Sequence, residues 1–276
     1  MKEKIPIVPG AEGFALCHSW PGVGLRYSHH HEELEVNLVL SGKAAYLFGR
    51  ERIPLVAGSM IWLFPRQEHM LIDRSHDFMM WVLVFKPKFV EHYTQESGRR
   101  ILRSPDPGTI FCRQLDPPTV DAFNHIYQSA ATGENDLELT NTALAYALVA
   151  SWQAFQLSSE PIARTDVHPA VARAVRLISE AEEAVPLTKL ARMAGLSAPR
   201  LSRLFKKQTG ISLTAFRQRK FLERFLRIYR TGARYSMIEA ALLAGFGSYP
   251  QFHRVFRHHM GRSPAEYARI TRGEGV

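Results

Sequence analysis

One phrase of this sequence is written twice, and few folds accommodate that. Ala194-Gly195-Leu196 returns as Ala244-Gly245-Phe246. After one extra residue in the turn, Arg203, Phe205, Gly210, Ser212 and Phe216 return as Arg254, Phe256, Gly261, Ser263 and Tyr267. A repeat of this length marks a duplicated supersecondary unit. In the first copy Leu187, Leu190, Ala191 and Ala194 give a short helix one apolar face. Gly195 admits a sharp turn that a Cβ would resist. Ser197 is expected to cap the next helix, with Pro199 in its first turn, where backbone donors lack helical partners anyway. At roughly 100° per residue, Leu201, Leu204, Phe205 and Gln208 then face inward. Pro199, Arg203 and Lys206 face outward, flanked by Ser202 and Lys207. In the second copy Ile238, Ala241 and Leu242 precede the turn, and Ser248 is the expected cap. Phe252, Val255, Phe256 and His259 point inward; Pro250, Arg254 and Arg257 point outward, with Gln251 and His253 at the edges. This is the grammar of a tandem helix-turn-helix.

Charge follows the same division. Residues 168–276 carry 20 Lys and Arg against 7 Asp and Glu, whereas residues 1–167 carry 15 against 19. The basic excess belongs to the repeat region, which implies a polyanionic partner for it, double-stranded DNA. Arg203 and Arg254 suit bidentate bonding to guanine, and Gln251 suits adenine. Lys206, Lys207 and Arg257 suit phosphates, which set affinity rather than sequence. Arg200, Ser202 and Tyr249 complete the expected DNA-binding set. Residues 168–270 resemble the AraC/XylS-type regulators. The resemblance rests on Ile238-Glu239-Ala240-Ala241, the run from Gly245-Phe246-Gly247-Ser248-Tyr249-Pro250 through Arg257, and Gly261-Arg262-Ser263-Pro264-Ala265-Glu266-Tyr267. It implies two helix-turn-helix units joined by a long helix, about Leu213 to Arg230, presented to adjacent major-groove segments. Pro199 and Pro250 depart from the family's usual pattern and shorten the base-reading set.

The first half reads differently. Apolar residues alternate at Val36, Leu38 and Leu40, at Ala44, Tyr46 and Phe48, at Met60, Trp62 and Phe64, and at Phe78, Met80, Val82 and Val84. Turn signals at Ser41-Gly42-Lys43, Gly49-Arg50, Ala57-Gly58 and Asp73-Arg74-Ser75 separate them, so residues 13–85 are expected to form a sandwich or small barrel. His29, His31 and Glu35 share parity on an extended strand, and His69 lies beyond a later strand. Two imidazoles, a carboxylate and a third imidazole make a first-row metal set, for Zn, Ni, Fe or Mn. The spacing resembles the first cupin motif, and more loosely the second, where three residues separate Pro65 from His69. AraC-type regulators commonly carry such a domain, and the same residues serve equally as polar groups in a small-molecule pocket. Tyr46, Phe48, Trp62, Phe64 and Trp81 are candidate walls of that effector pocket.

From about Pro118 the period becomes helical, through Val120, Phe123, Ile126 and Tyr127 and then Leu137, Leu144, Leu148, Trp152 and Phe155. These helices can pack on the β domain or on a second copy of the chain, and a homodimer through residues 118–157 is expected. The organisation read here is α+β: a cupin-like barrel with packed helices at 1–157, a linker at 158–169, and an all-α DNA-binding domain at 170–276. Cys17 and Cys112 form no metal knuckle or disulfide framework. No leader is apparent, and the stretch Leu137–Leu157 is too polar to span a bilayer, so a cytoplasmic protein without a membrane partner is expected. The function read from these features is sequence-specific transcription regulation under a small molecule or metal, with RNA polymerase as a further partner. It is not read as an enzyme; the alternative is a metal-dependent cupin enzyme carrying a nucleic-acid module.

Overall fold

The computed structural model describes residues 5–19, 29–132, 136–158, 160–162, 164–181, 184–230 and 235–271. In chain order the N-terminal elements are β1 (Gly13–Ser19), β2 (Leu34–Ser41), β3 (Lys43–Phe48), β4 (Glu51–Val56), β5 (Ser59–Leu63), β6 (Met70–Ile72) and β7 (Met79–Phe85). There follow α1 (Pro87–Tyr93), a 3-10 helix (Ser97–Arg103), β8 (Phe111–Gln114), α2 (Pro117–Thr132), α3 (Leu137–Leu157) and the two-residue strands β9 (Glu160–Pro161) and β10 (Thr165–Asp166). The C-terminal part is helical: α4 (Pro169–Glu180), α5 (Leu187–Ala194), α6 (Ala198–Thr209), α7 (Leu213–Arg230), α8 (Met237–Ala244), α9 (Tyr249–Met260) and α10 (Pro264–Thr271). The chain divides into two compact units that part between Thr165 and Asp166.

In the first unit the strands form one sheet in the order β1-β7-β2-β5-β8-β9 and another in the order β10-β4-β3-β6. The larger sheet is buried on both faces. Leu34, Val36 and Leu38 of β2, with Trp62, Phe64, Trp81, Leu83 and Phe85, pack against Phe123, Tyr127, Leu144, Leu148, Trp152 and Phe155 of α2 and α3. The opposite parity, Val39, Ile61, Leu63, Met80, Val82 and Val84, packs against Tyr46, Ile53, Leu55 and Leu71 of the smaller sheet. Alternation along a strand therefore sorts side chains into two apolar cores rather than into core and solvent. The helix stripe that suggested a dimer contact is consumed by the first of these cores. Among the described residues, the apolar surface left on α3 is Leu137, Leu139, Tyr146 and Leu157.

The segment expected to be a linker is tied to the first unit along much of its length. Ser158 Oγ donates to the Gln114 carbonyl at 2.6 Å, and β9 pairs with β8. Arg164 Nη2 donates to the Ile110 carbonyl, and Thr165 Oγ1 donates to the Arg52 carbonyl. Backbone groups with good partners at a sheet edge do not run free in solvent. Also missing from the sequence reading are β1's partnership with β7, α1, the 3-10 helix and β8, all short or without a clear period.

In the second unit the duplicated phrase behaves as its glycines require. Gly195, Gly210, Gly245 and Gly261 each end a helix in the left-handed conformation. Gly232, the glycine that follows the joining helix in sequence, lies outside the described residues. Ser248 caps α9 by accepting from the Gln251 amide, whereas Ser197 makes no side-chain cap on α6. α8 also departs from expectation: Ile238, Leu242 and Leu243 are about half exposed, and Ala240, Ala241 and Ala244 carry the contact. Small residues win there because α8 lies close against α7, where Leu222 and Phe225 are fully buried.

The two turn glycines are not equivalent. A Cβ on Gly195 would meet nothing nearer than 3.9 Å, whereas one on Gly245 would lie 2.4 Å from Ala184 Cβ. Both have positive φ, which alone costs a non-glycine residue about 1–2 kcal/mol. Gly245→Ala is therefore expected to lower unfolding stability clearly more than Gly195→Ala in urea titrations of the full chain; equal losses would contradict the packing described.

Candidate functional sites

Two sites emerge, one in each unit. In the first, β2 begins only at Leu34, so His29 and His31 are not aligned by a continuous strand as expected. They converge by another route. His29 and His69 form an isolated antiparallel bridge, with reciprocal amide–carbonyl bonds of 3.1 and 3.0 Å. The His29 and His69 rings are 4.4 Å apart between centroids, and His31 stands 5.9 and 5.5 Å from them. One ligand atom from each of the three imidazoles lies within 4.8 Å of the others.

Hydrogen bonding orients two of these rings. His31 Nδ1 lies 2.9 Å from the Glu33 carbonyl, and His69 Nδ1 lies 2.9 Å from the Gln67 carbonyl. A ring that donates from Nδ1 presents the lone pair of Nε2 to whatever faces it. His31 Nε2 and His69 Nε2 are both buried without an aligned hydrogen bond among the described residues. His31 Nε2 does lie 3.1 Å from Glu35 Oε2, as a charge contact. Glu35 Oε1 accepts from Asn37 Nδ2 at 2.8 Å, and the same amide donates to Tyr46 Oη at 2.8 Å. Glu35 is not one of the three grouped imidazoles, but its carboxylate meets His31 at Nε2, the nitrogen turned away from the Glu33 carbonyl. Nitrogens bound to one tetrahedral metal at about 2.1 Å stand about 3.4 Å apart, so modest ring movements would complete such a set.

The electrostatics separate the imidazoles. Burial, then the charge of His29, lowers the His69 pKa from 6.5 to about 3, opposed by Glu35. Burial also pulls His31 down, but the adjacent Glu35 carboxylate and the Glu33 carbonyl outweigh it and leave its pKa raised. His30, of opposite parity, is half-buried and outside the cluster.

Of the five aromatic residues expected to wall one pocket, Tyr46 and Phe48 approach His69, at ring centroids of 5.7 and 6.2 Å. Trp62, Phe64 and Trp81 do not join them. They lie on the other face of the larger sheet, where Trp62 meets Trp152, Phe64 meets Phe111, and Trp81 Nε1 donates to Asn124 Oδ1. Parity excludes one common wall for all five.

In the second unit, Arg200, Arg203, Lys206, Lys207, Arg254 and Arg257 are exposed on α6 and α9, while Leu201, Phe205, Phe252 and Phe256 are fully buried. Gln208 is half-buried and accepts from the His168 amide. Ser202 is half-buried, and Tyr249 packs against Phe252. Gln251 Oε1 accepts from the Gly247 amide at 3.0 Å, so this side chain braces the turn. A cavity of about 560 Å³ is lined by Ser202, Arg203, Lys206, Lys207, Ser212, Leu213 and Thr214. It opens at the start of α7, where Ser212 Oγ accepts from the Ala215 amide. Cationic side chains beside a helix N-terminus make an anion-binding surface. Sequence reasoning missed Ser212 and Thr214 here; the serine before an apolar helical run was the available signal.

Residues 9–149 match the family described as AraC-like ligand binding domain, and residues 190–270 match a helix-turn-helix domain family. Among solved structures, an apo point variant of ToxT from Vibrio cholerae is 13% identical, over 93% of this chain and 97% of that one, with a TM-score of 0.39. Unsaturated fatty acid bound wild-type ToxT from the same organism is 12% identical, over 94% of each chain, with a TM-score of 0.35. The AraC-like transcriptional activator CuxR is 14% identical, over 80% of this chain and 75% of that one, with a TM-score of 0.34. No curated protein matches the sequence. No helix among the described residues is long and apolar enough to cross a membrane.

The lowered pKa of His69 has a thermodynamic consequence. Because the folded value, about 3, lies below the ordinary 6.5, neutral His69 contributes stability that is full above pH 6.5 and is lost as pH falls toward 3. Thermal melting of the metal-free chain at stepped pH is expected to show this loss, and His69→Gln is expected to flatten it. An unchanged slope would show that the imidazole titrates as freely when folded as when unfolded.

Proposed function

The chain belongs to the AraC-like family of transcription regulators, with a ligand-binding N-terminal domain and a helix-turn-helix DNA-binding domain, and from this premise we propose how each domain works. α6 and α9 read neighbouring major-groove segments of one operator. Arg203 and Arg254 contact base edges, while Arg200, Lys206, Lys207 and Arg257 hold phosphates. The observation that carries this reading is the equivalence of the two helices: each buries its aromatic side, follows a left-handed glycine turn, and exposes arginine at the matching position. Ser202, Ser212 and Thr214 add polar groups at the cavity beside α7, where a backbone phosphate fits the local charge. Gln251 and Tyr249 act mainly by holding the turn and the helix start, and contact DNA secondarily.

In the N-terminal domain, His29, His31 and His69 hold a divalent first-row metal, with Zn, Ni, Fe and Mn the candidates. Buried imidazoles whose Nδ1 atoms are engaged and whose Nε2 atoms lack aligned hydrogen bonds are suited to a cation. Glu35, against His31 Nε2, places a negative charge at the edge of the same cluster. Tyr46 and Phe48 lie on the same side, where a small-molecule effector would meet the cluster. The three histidines are 6%, 1% and 1% exposed, which suits a sealed sensing site better than a catalytic centre that must admit substrate. We therefore read the chain as a regulator without enzymatic activity, acting on double-stranded DNA in the cytoplasm and, through it, on RNA polymerase. A homodimer is part of this reading, through the outer face of α3 at Leu139 and Tyr146, since the inner face is already occupied.

Three measurements test these statements. Arg203→Ala and Arg254→Ala are each expected to cost about 1–3 kcal/mol of specific DNA affinity and to relax base preference at separate positions. Lys206→Ala is expected to weaken binding to all sequences alike and to make the salt dependence shallower by about one unit. If Arg203→Ala left both affinity and preference unchanged, α6 would not be a reader. Elemental analysis and zinc titration of purified protein are expected to give one metal per chain, abolished by His69→Ala. A chain that binds no metal would leave the cluster as a pocket for an organic effector.

A further inference from the structure

α7 joins the two helix-turn-helix copies, and one of its side chains is bonded on both sides of the junction. Arg224 is 6% exposed. Its Nη1 donates to the Ala244 carbonyl, at the end of α8, at 3.1 Å. Its Nη2 donates to the Ala181 carbonyl, at the end of α4, at 2.7 Å. α4 packs on both α5 and α6 and so belongs to the first copy, whereas α8 belongs to the second. Carbonyls at helix C-termini lack intrahelical donors and carry partial negative charge, and a planar guanidinium can serve two of them at once.

Steric contact follows the same line. The ring of Phe221 lies 5.7 Å edge-on from Phe246 and is flanked by the guanidinium groups of Arg217 and Arg224, at 5.4 and 5.9 Å from its centroid. Arg217 Nη2 donates to the Val185 carbonyl at 2.6 Å. Gly245, the turn of the second copy, leaves no room for a methyl group between itself and Ala184 of the first. A tight seam thus runs from Ala181, Ala184 and Val185, across α7, to Ala244 and Gly245.

We propose that this seam sets the spacing specificity of the regulator, with Arg224 as its positioning residue. It fixes the distance and phase between α6 and α9, and so the number of base pairs that must separate the two DNA segments they read. The inference rests on the reading of α6 and α9 as a pair of DNA-reading helices. One inserted base pair turns the second segment by about 36° and moves it about 3.4 Å. Copies joined by a flexible helix alone could follow such a change. Copies locked by a buried two-way hydrogen bond and a close steric contact cannot.

The experiment uses full-length protein and a duplex selected from a random library by the wild-type chain, with its two protected segments mapped. One or two base pairs are then inserted between the segments. The wild type is expected to lose tenfold or more in affinity for each insertion. Arg224→Met, which removes both hydrogen bonds, and Ala184→Leu, which wedges the seam, are expected to bind the selected duplex more weakly and to show an insertion penalty below threefold. Arg224→Lys keeps the charge without the fork and is expected to fall between; it also serves should Arg224→Met fail to fold, as judged by circular dichroism. A full wild-type penalty in the folded variants, with only melting temperature lowered, would overturn the proposal and leave Arg224 a purely structural residue. A wild-type chain that protects one segment, or none, would instead overturn the underlying two-helix reading.

Discussion

The N-terminal domain depends on a sheet that meets apolar layers on both of its faces. On β2, Val36 and Leu38 enter the core shared with α2 and α3, while Glu35, Asn37 and Val39 face the smaller sheet. A single step of parity decides which of two interiors a side chain joins. That constraint sets Glu35 and Asn37 beside Tyr46 on the side of the smaller sheet, where the His29–His69 bridge adds the imidazoles to one polar cluster. It also sends Trp62, Phe64 and Trp81 to the helix side, where their bulk consolidates the domain. Fully burying such side chains contributes roughly 1.5–3 kcal/mol each, enough to hold a few costly polar groups inside.

Those polar groups are arranged rather than merely tolerated. Backbone carbonyls of Glu33 and Gln67 occupy one nitrogen of His31 and of His69, and a backbone bridge sets His29 beside His69. Burial, with the charge of His29, keeps His69 neutral, while Glu35 favours the charged form of His31. His69, neutral and oriented, is in the state from which an imidazole binds a cation. In the DNA-binding unit the logic is inverted: aromatic rings fill the interior, and the cations of α6 and α9 stay at the surface, where counterions screen them until a polyanion arrives. Two cations of α7 depart from this: Lys220 is buried beside Glu223, and Arg224 is buried with helix ends from two repeats among its partners. Carbonyls at helix ends lack intrahelical donors, and bonding two of them offsets part of the cost of burying this guanidinium.

The amino-acid sequence determined the periodic and the duplicated by itself. The tandem helix-turn-helix, its left-handed glycine turns, the outward arginines and the joining helix α7 were all legible, because helical period and glycine conformation are local properties. The alternating strands were legible for the same reason, whereas His29, His31 and His69 meet through a bridge between distant segments and not along one strand. What only tertiary structure decided depends on which surfaces meet. Gln251 and Gln208 were spent on bracing, Ile238 and Leu242 were left at the surface, and the segment after α3 was stitched to a sheet edge. The grouping of pocket residues and the seam at Arg224 likewise join positions far apart in the chain. A local pattern states which way a side chain points from its own element; it does not state what the neighbouring element brings to meet it.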